Sequence, residues 1–159
     1  MNEMYDDCIA LLEERGVTLK DIVDCVVYLQ KDYIANIHEI DIEDIVKSVI
    51  RKREVQNALM TAINIDIQVD KGAFGNETIQ NIIRVDEGLY GIDEVMAYGI
   101  CNLYGSIALT NYGYIDKVKP GIIGKLNDHD AGQCNTFIDD IVGAIAAAAA
   151  SKLAHSHSK

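Results

Sequence analysis

Apolar residues recur at helical spacing along most of the chain, while the period-two alternation of half-buried strands is nearly absent. Met4, Cys8, Leu11 and Leu12 predict a helix over residues 3 to 15 that Gly16 can stop. Thr18 followed by Asp21 reads as an acidic capping box for a second helix, with Ile22, Val23, Val26, Val27 and Leu29 on its apolar face. Asp41 is placed to cap a third, long helix carrying Ile45, Val49, Val55, Leu59 and Ile63 to an end near Gly72, with any break expected around Asn64. A shorter helix follows from Glu77 to Val85.

The second half changes character. From Val95 to Ile115 no residue carries a charge, a stretch long enough to span a bilayer. Gly99, Gly105, Gly113 and several tyrosines make it a poor transmembrane segment, so it is expected to be a helix buried on all sides by its neighbours. The fold predicted is all-α, a compact multi-helix bundle with a buried central helix around residues 92–112. A polar connection, 116–121, holds the only proline, Pro120, and is followed by a short apolar piece, Ile122 to Leu126, and a loop from Asn127 to Asn135. Thr136 is placed to cap a last, alanine-rich helix. One domain over 1–154 and a flexible tail over 155–159 complete the expected organisation.

Charge narrows the classes of function. Fourteen Lys and Arg face 25 Asp and Glu, a formal charge of −11, and both halves share the excess. Such a surface repels phosphate backbones, so a nucleic-acid partner is excluded, and a phosphate substrate needs a local cation. Cys8, Cys25, Cys101 and Cys134 show no CxxC spacing and read as buried thiols of a reducing, cytoplasmic compartment. The acidic start of the chain does not resemble a signal peptide.

Five carboxylates stand out because they border the uncharged stretches, where an ionised acid is costly without a cation. Asp93 and Glu94 precede the run that begins at Val95, Asp116 follows it, and Asp139 and Asp140 open the alanine-rich segment. Hard oxygen donors of this kind suit Mg²⁺ or Mn²⁺ rather than zinc. Each also has a structural reading: Thr136 to Asp139 forms a capping box, Asp93 and Glu94 suit a first helical turn, and Asp116 can pair with Lys119. An EF-hand frame starting at Asp128 and Asp130 fails at Gln133, where glycine is required. No Walker loop, GxSxG elbow, dinucleotide fingerprint or HExxH motif occurs, nor the paired ExxE helices of all-α pyrophosphohydrolases.

Taken in order, Gly91-Ile92-Asp93-Glu94-Val95, Tyr114-Ile115-Asp116-Lys117-Val118-Lys119-Pro120 and Phe137-Ile138-Asp139-Asp140-Ile141-Val142-Gly143-Ala144 resemble the phosphatidylglycerophosphatase A family over about residues 86 to 153. The resemblance implies a Mg²⁺-dependent (or Mn²⁺-dependent) phosphatase that converts phosphatidylglycerophosphate to phosphatidylglycerol. It makes Asp93, Glu94, Asp116, Asp139 and Asp140 candidate metal ligands, Glu94, Asp116 and Asp140 candidate catalytic groups, and Lys117 and Lys119 candidate phosphate contacts. The family's glycine-rich N-terminal segment and its membrane-spanning character have no match here, which points to a soluble branch. Such a branch acts at the inner membrane surface as a peripheral protein or on a more soluble phosphate ester, and is expected to be a homo-oligomer. The alternative from another class is a non-catalytic helical module whose acids bind a cation.

Overall fold

A computed structural model describes residues 3–128 and 132–157. The described residues form nine α-helices, α1 (Glu3–Glu14), α2 (Leu19–Gln30), α3 (Ile42–Ile50), α4 (Arg53–Asp70), α5 (Glu77–Arg84), α6 (Ile92–Asn102), α7 (Ser106–Val118), α8 (Ile122–Leu126) and α9 (Ile138–His157), and no strand. The all-α expectation holds. The capping box of α2 forms as expected, with Asp21 N–H donating to Thr18 Oγ1 and Thr18 N–H donating to the Asp21 carboxylate.

The third helix is two helices, and the break falls at Arg51 and Lys52 rather than near Asn64. Its cause is a jump in the apolar stripe. In α3 the buried residues are Ile42, Val46, Val49 and Ile50, and in α4 they resume at Val55, Leu59 and Ile63. At about 100° per residue, Ile50 and Val55 of one straight helix would point about 140° apart. One rod cannot bury both, so Lys52 turns extended and α4 starts on a new axis.

The central element is α9, not residues 92–112. Every residue from Ile138 to Ser151 is buried, with α2, α3, α4, α6, α7 and α8 all packed against it. Alanine at 144 and 146–150 lets neighbours approach this helix from every side. The uncharged run forms α6 and α7, which part at Gly105 (φ +93°) and pack one face each on α9. Their other faces are exposed, so the absence of charge did not mean burial on all sides.

After α7, Lys119 adopts a left-handed conformation (φ +53°) and the chain folds back into α8. Gly124 permits this, because a Cβ there would lie 2.7 Å from the Lys119 carbonyl oxygen. Part of the loop expected from Asn127 to Asn135, including Asp130, lies outside the described residues. The last helix continues through His157, three residues into the expected tail, whose final two residues are also outside them.

Candidate functional site

Three helix ends meet at one end of the bundle. The first turn of α6 supplies Asp93 and Glu94, the first turn of α9 supplies Asp139 and Asp140, and the last turn of α7 supplies Asp116. All five acids picked from the sequence therefore gather in one region. Asp93, Asp139 and Asp140 are buried, Asp116 is half-buried and Glu94 is exposed. The N-termini of α6 and α9 both point their positive ends here, which favours negative charge.

Lys119 is the cation among them. Its left-handed backbone, a strain of about 1 kcal/mol for a non-glycine residue, returns the ammonium toward α7 and α9. Nζ lies 3.1 Å from Asp116 Oδ1 and 3.8 Å from Asp139 Oδ2, so one ammonium bridges the two helices. Burial pulls the Lys119 ammonium down, but Asp139 and Asp116 outweigh it and the group titrates above its ordinary value. Lys117 is exposed and takes no part in this bridge.

Two of the buried acids, Asp139 and Asp140, are shifted upward. Burial, the charge of Asp139 and a hydrogen bond with Asp93 push Asp140 up to about 11. Burial also pushes Asp139 well above the usual carboxylate range, despite Lys119 and the Asp140 N–H that donates to it at 2.8 Å. Burial and the neighbouring Asp93 and Asp116 charges raise Glu94. Among the described residues, no three carboxylate, imidazole or thiolate groups converge closely enough to hold a metal ion as they are disposed. A proton on Asp140 and the Lys119 ammonium offset part of the cluster's negative charge. The donor chemistry fits a hard divalent cation, whereas the side-chain positions do not form a ready-made cage.

Four further residues join the site. Tyr112, one turn before Asp116, is buried, and its ring meets Tyr98 edge to face at 5.4 Å. Burial and the charge of Asp140 raise the Tyr112 hydroxyl. Their signal was helical spacing: Tyr98 and Tyr112 each lie four residues from an acid of the site. Asp86 reaches Asp139 and Glu94 electrostatically and lines a cleft of ≈ 290 Å³ together with Arg84, Asp128, Gln133, Asn135 and Thr136.

The fourth residue, Asp66 of α4, holds the site in place. It is fully buried, and its carboxylate accepts the N–H groups of Phe137 (3.1 Å) and Ile138 (2.9 Å) and the Cys134 thiol (3.5 Å). Asp66 therefore caps the N-terminus of α9. Thr136, expected in that role, instead donates its hydroxyl to the Ile83 carbonyl, tying α9 to the end of α5. All four cysteines are free and buried, as expected for structural thiols.

Burial pushes Asp66 up to about 7, although Phe137, Ile138 and Cys134 pull the other way. An unfolded Asp titrates near 3.9, so between about pH 4 and pH 7 the folded chain keeps protons on Asp66 and Asp140 that the unfolded chain has lost. Stability falls as pH rises through that window. Thermal melts in chelator from pH 5 to 8 should show a falling Tm, flattened in an Asp66→Asn/Asp140→Asn double variant. A Tm that rises over this range contradicts the assignment.

Comparison with known proteins gives a consistent result. A sequence model of the family described as Phosphatidylglycerophosphatase A matches residues 8–155. The chain is 51% identical over 146 residues to the uncharacterized protein YutG of Bacillus subtilis, covering 92% of this chain and 87% of that one. Its fold is similar to that of the low temperature requirement C protein from Listeria monocytogenes, with a TM-score of 0.94, 54% identity and coverage of 99% of this chain and 98% of that one. A protein of unknown function from Bacillus stearothermophilus is as similar, with a TM-score of 0.94, 53% identity and the same coverage.

Proposed function

Since the chain belongs to the phosphatidylglycerophosphatase A family, we propose that it is a metal-dependent phosphomonoesterase, with phosphatidylglycerophosphate as its substrate and Mg²⁺ or Mn²⁺ as its cofactor. The observation that carries this reading is the gathering of five acids from three helices around one lysine, with three of the acids, Asp93, Asp139 and Asp140, buried.

Asp93, Glu94, Asp116, Asp139 and Asp140 offer the oxygen donors. When bound, the cation neutralises acids and phosphate together and lowers the pKa of a coordinated water. Lys119, already between α7 and α9, contacts the phosphate, and the N-termini of α6 and α9 add N–H dipoles for its oxygens. Lys117, exposed beside the site, meets the phosphate of the lipid or of its neighbours at the inner membrane surface. No helix among the described residues is long and apolar enough to cross a membrane, and peripheral contact from the cytoplasm suits that.

The test is phosphate release by the full chain with Mg²⁺ from three monoesters: phosphatidylglycerophosphate in micelles, glycerol 3-phosphate and p-nitrophenyl phosphate. Fastest release from the lipid supports the proposal in full. Release from the soluble esters alone moves the substrate to a soluble phosphate ester. No release from any of them, with Mn²⁺ as well, overturns the enzyme reading in favour of a non-catalytic helical module.

A further inference from the structure

Asn135 is buried (7% exposed), yet only one end of its amide is used within the chain. Gln133 Nε2 donates to the Arg15 carbonyl (3.4 Å), a group that only accepts, and to Asn135 Oδ1 (2.7 Å). The Arg15 carbonyl thus fixes which way both amides point. Asn135 commits its oxygen to Gln133 and turns Nδ2 the other way, toward the cleft of ≈ 290 Å³ that it lines. Among the described residues no group accepts a hydrogen bond from Nδ2, and the nitrogen is not sealed from solvent. Its surroundings are rigid, because the Arg15 guanidinium holds both Asp70 (2.8 Å) and the Cys134 carbonyl while the Cys134 N–H donates to Asp70 (2.8 Å). A buried donor fixed in place, open to a cleft and bonded to nothing in the chain, finds its acceptor in what enters the cleft.

The cleft adjoins the acid cluster. The Asn135 carbonyl accepts the Asp139 N–H (3.3 Å), and Asp86 in the lining reaches Asp139 and Glu94 electrostatically. The lining also selects the ligand. Asp70 is paired with Arg15, which leaves Asp86 and Asp128 against Arg84 and disfavours an anion. The Asn135 N–H₂ group in turn offers nothing to a cation. A neutral hydroxyl suits both, since its oxygen accepts from Nδ2 and its hydrogen goes to a carboxylate. We infer that this cleft receives the alcohol side of the phosphate ester, with Asn135 Nδ2 donating to a hydroxyl that the alcohol carries near the ester bond. The inference rests on the phosphatase reading for the ester and on the cleft for the hydroxyl. The phosphate to be released stays at Lys119, and the glycerol unit of the head group enters the cleft, which is large enough for a short polyol and too small for acyl chains.

Two pairs of esters test this on the full chain with Mg²⁺: glycerol 3-phosphate against propyl phosphate, which lacks the hydroxyls, and phosphatidylglycerophosphate against its analogue without the free head-group hydroxyl. The hydroxylated member should be preferred in kcat/KM by at least about 10-fold, and Asn135→Leu should bring that ratio to about one. A preference in the lipid pair alone makes the ligand a lipid head group, and a preference in both pairs extends it to soluble polyol phosphates. Amide NMR spectra of the wild type give a readout that needs neither turnover nor the variant. The assigned side-chain N–H₂ signals of Asn135 should shift on titration with glycerol 3-phosphate and stay in place with propyl phosphate. Such a selective shift without phosphate release from any ester overturns the phosphatase reading and keeps the cleft as a site for hydroxylated phosphate esters. Equal kcat/KM within both pairs, or Asn135 signals that glycerol 3-phosphate does not move, overturns the inference and leaves the phosphatase reading standing.

Discussion

Asp140→Asn is expected to reduce Mg²⁺-dependent phosphate release by about 10³-fold while raising the melting temperature. The two effects have one cause. Asp140 is buried beside Asp139 and Asp93, and burial with like charge pushes its titration to about 11. A neutral amide of the same shape removes that electrostatic conflict, for a gain of about 1 kcal/mol or more and a few degrees in Tm. It also removes an oxygen donor on which the proposed cation depends. An acid with only a structural role behaves in the opposite way, since losing it lowers Tm. Matched thermal melts and phosphate-release assays of both proteins at neutral pH separate the cases, and loss of activity with gain of stability is the pattern of a group kept for function.

Asp66→Ala is expected to cost about 3 kcal/mol in urea unfolding and to take most of the activity with it. The substitution leaves the N–H groups of Phe137 and Ile138 unpaired in the interior, each worth about 1 to 3 kcal/mol. Relief of the burial that pushes Asp66 to about 7 offsets part of that loss. Asp66→Asn keeps an acceptor and should cost about half as much. Activity falls because the same cap fixes the first turn of α9, where Asp139 and Asp140 project. If Asp66→Ala unfolds at the wild-type urea midpoint, the cap is not what holds that turn.

Much of this arrangement was legible in the residues. The helices, the Thr18–Asp21 box and the five acids follow from periodicity and from carboxylates placed against uncharged stretches. Asp66 was not legible by local rules, because its partners Cys134, Phe137 and Ile138 lie 68 to 72 residues away. One signal was available: Asp66 continues the Leu59, Ala62, Ile63 stripe of α4, an acid on a buried face. The α3–α4 break was missed because Arg51-Lys52-Arg53 contains no glycine or proline, and only the phase jump of the apolar stripe reveals it. Residues 92–112 read as the central helix because they lack charge, but lack of charge alone does not imply burial on every side. The small side chains of α9 were the better guide, since a helix can be surrounded on all sides only if its neighbours can come close.

The acid cluster is proposed to work as a cation-dependent phosphatase centre. Its most direct test is inorganic phosphate release from phosphatidylglycerophosphate by the full chain, measured first with Mg²⁺, then in EDTA, then after Mg²⁺ is restored. Release that EDTA abolishes and Mg²⁺ recovers is the expected result. Release at an unchanged rate in EDTA, or none in any of the three conditions, would contradict it.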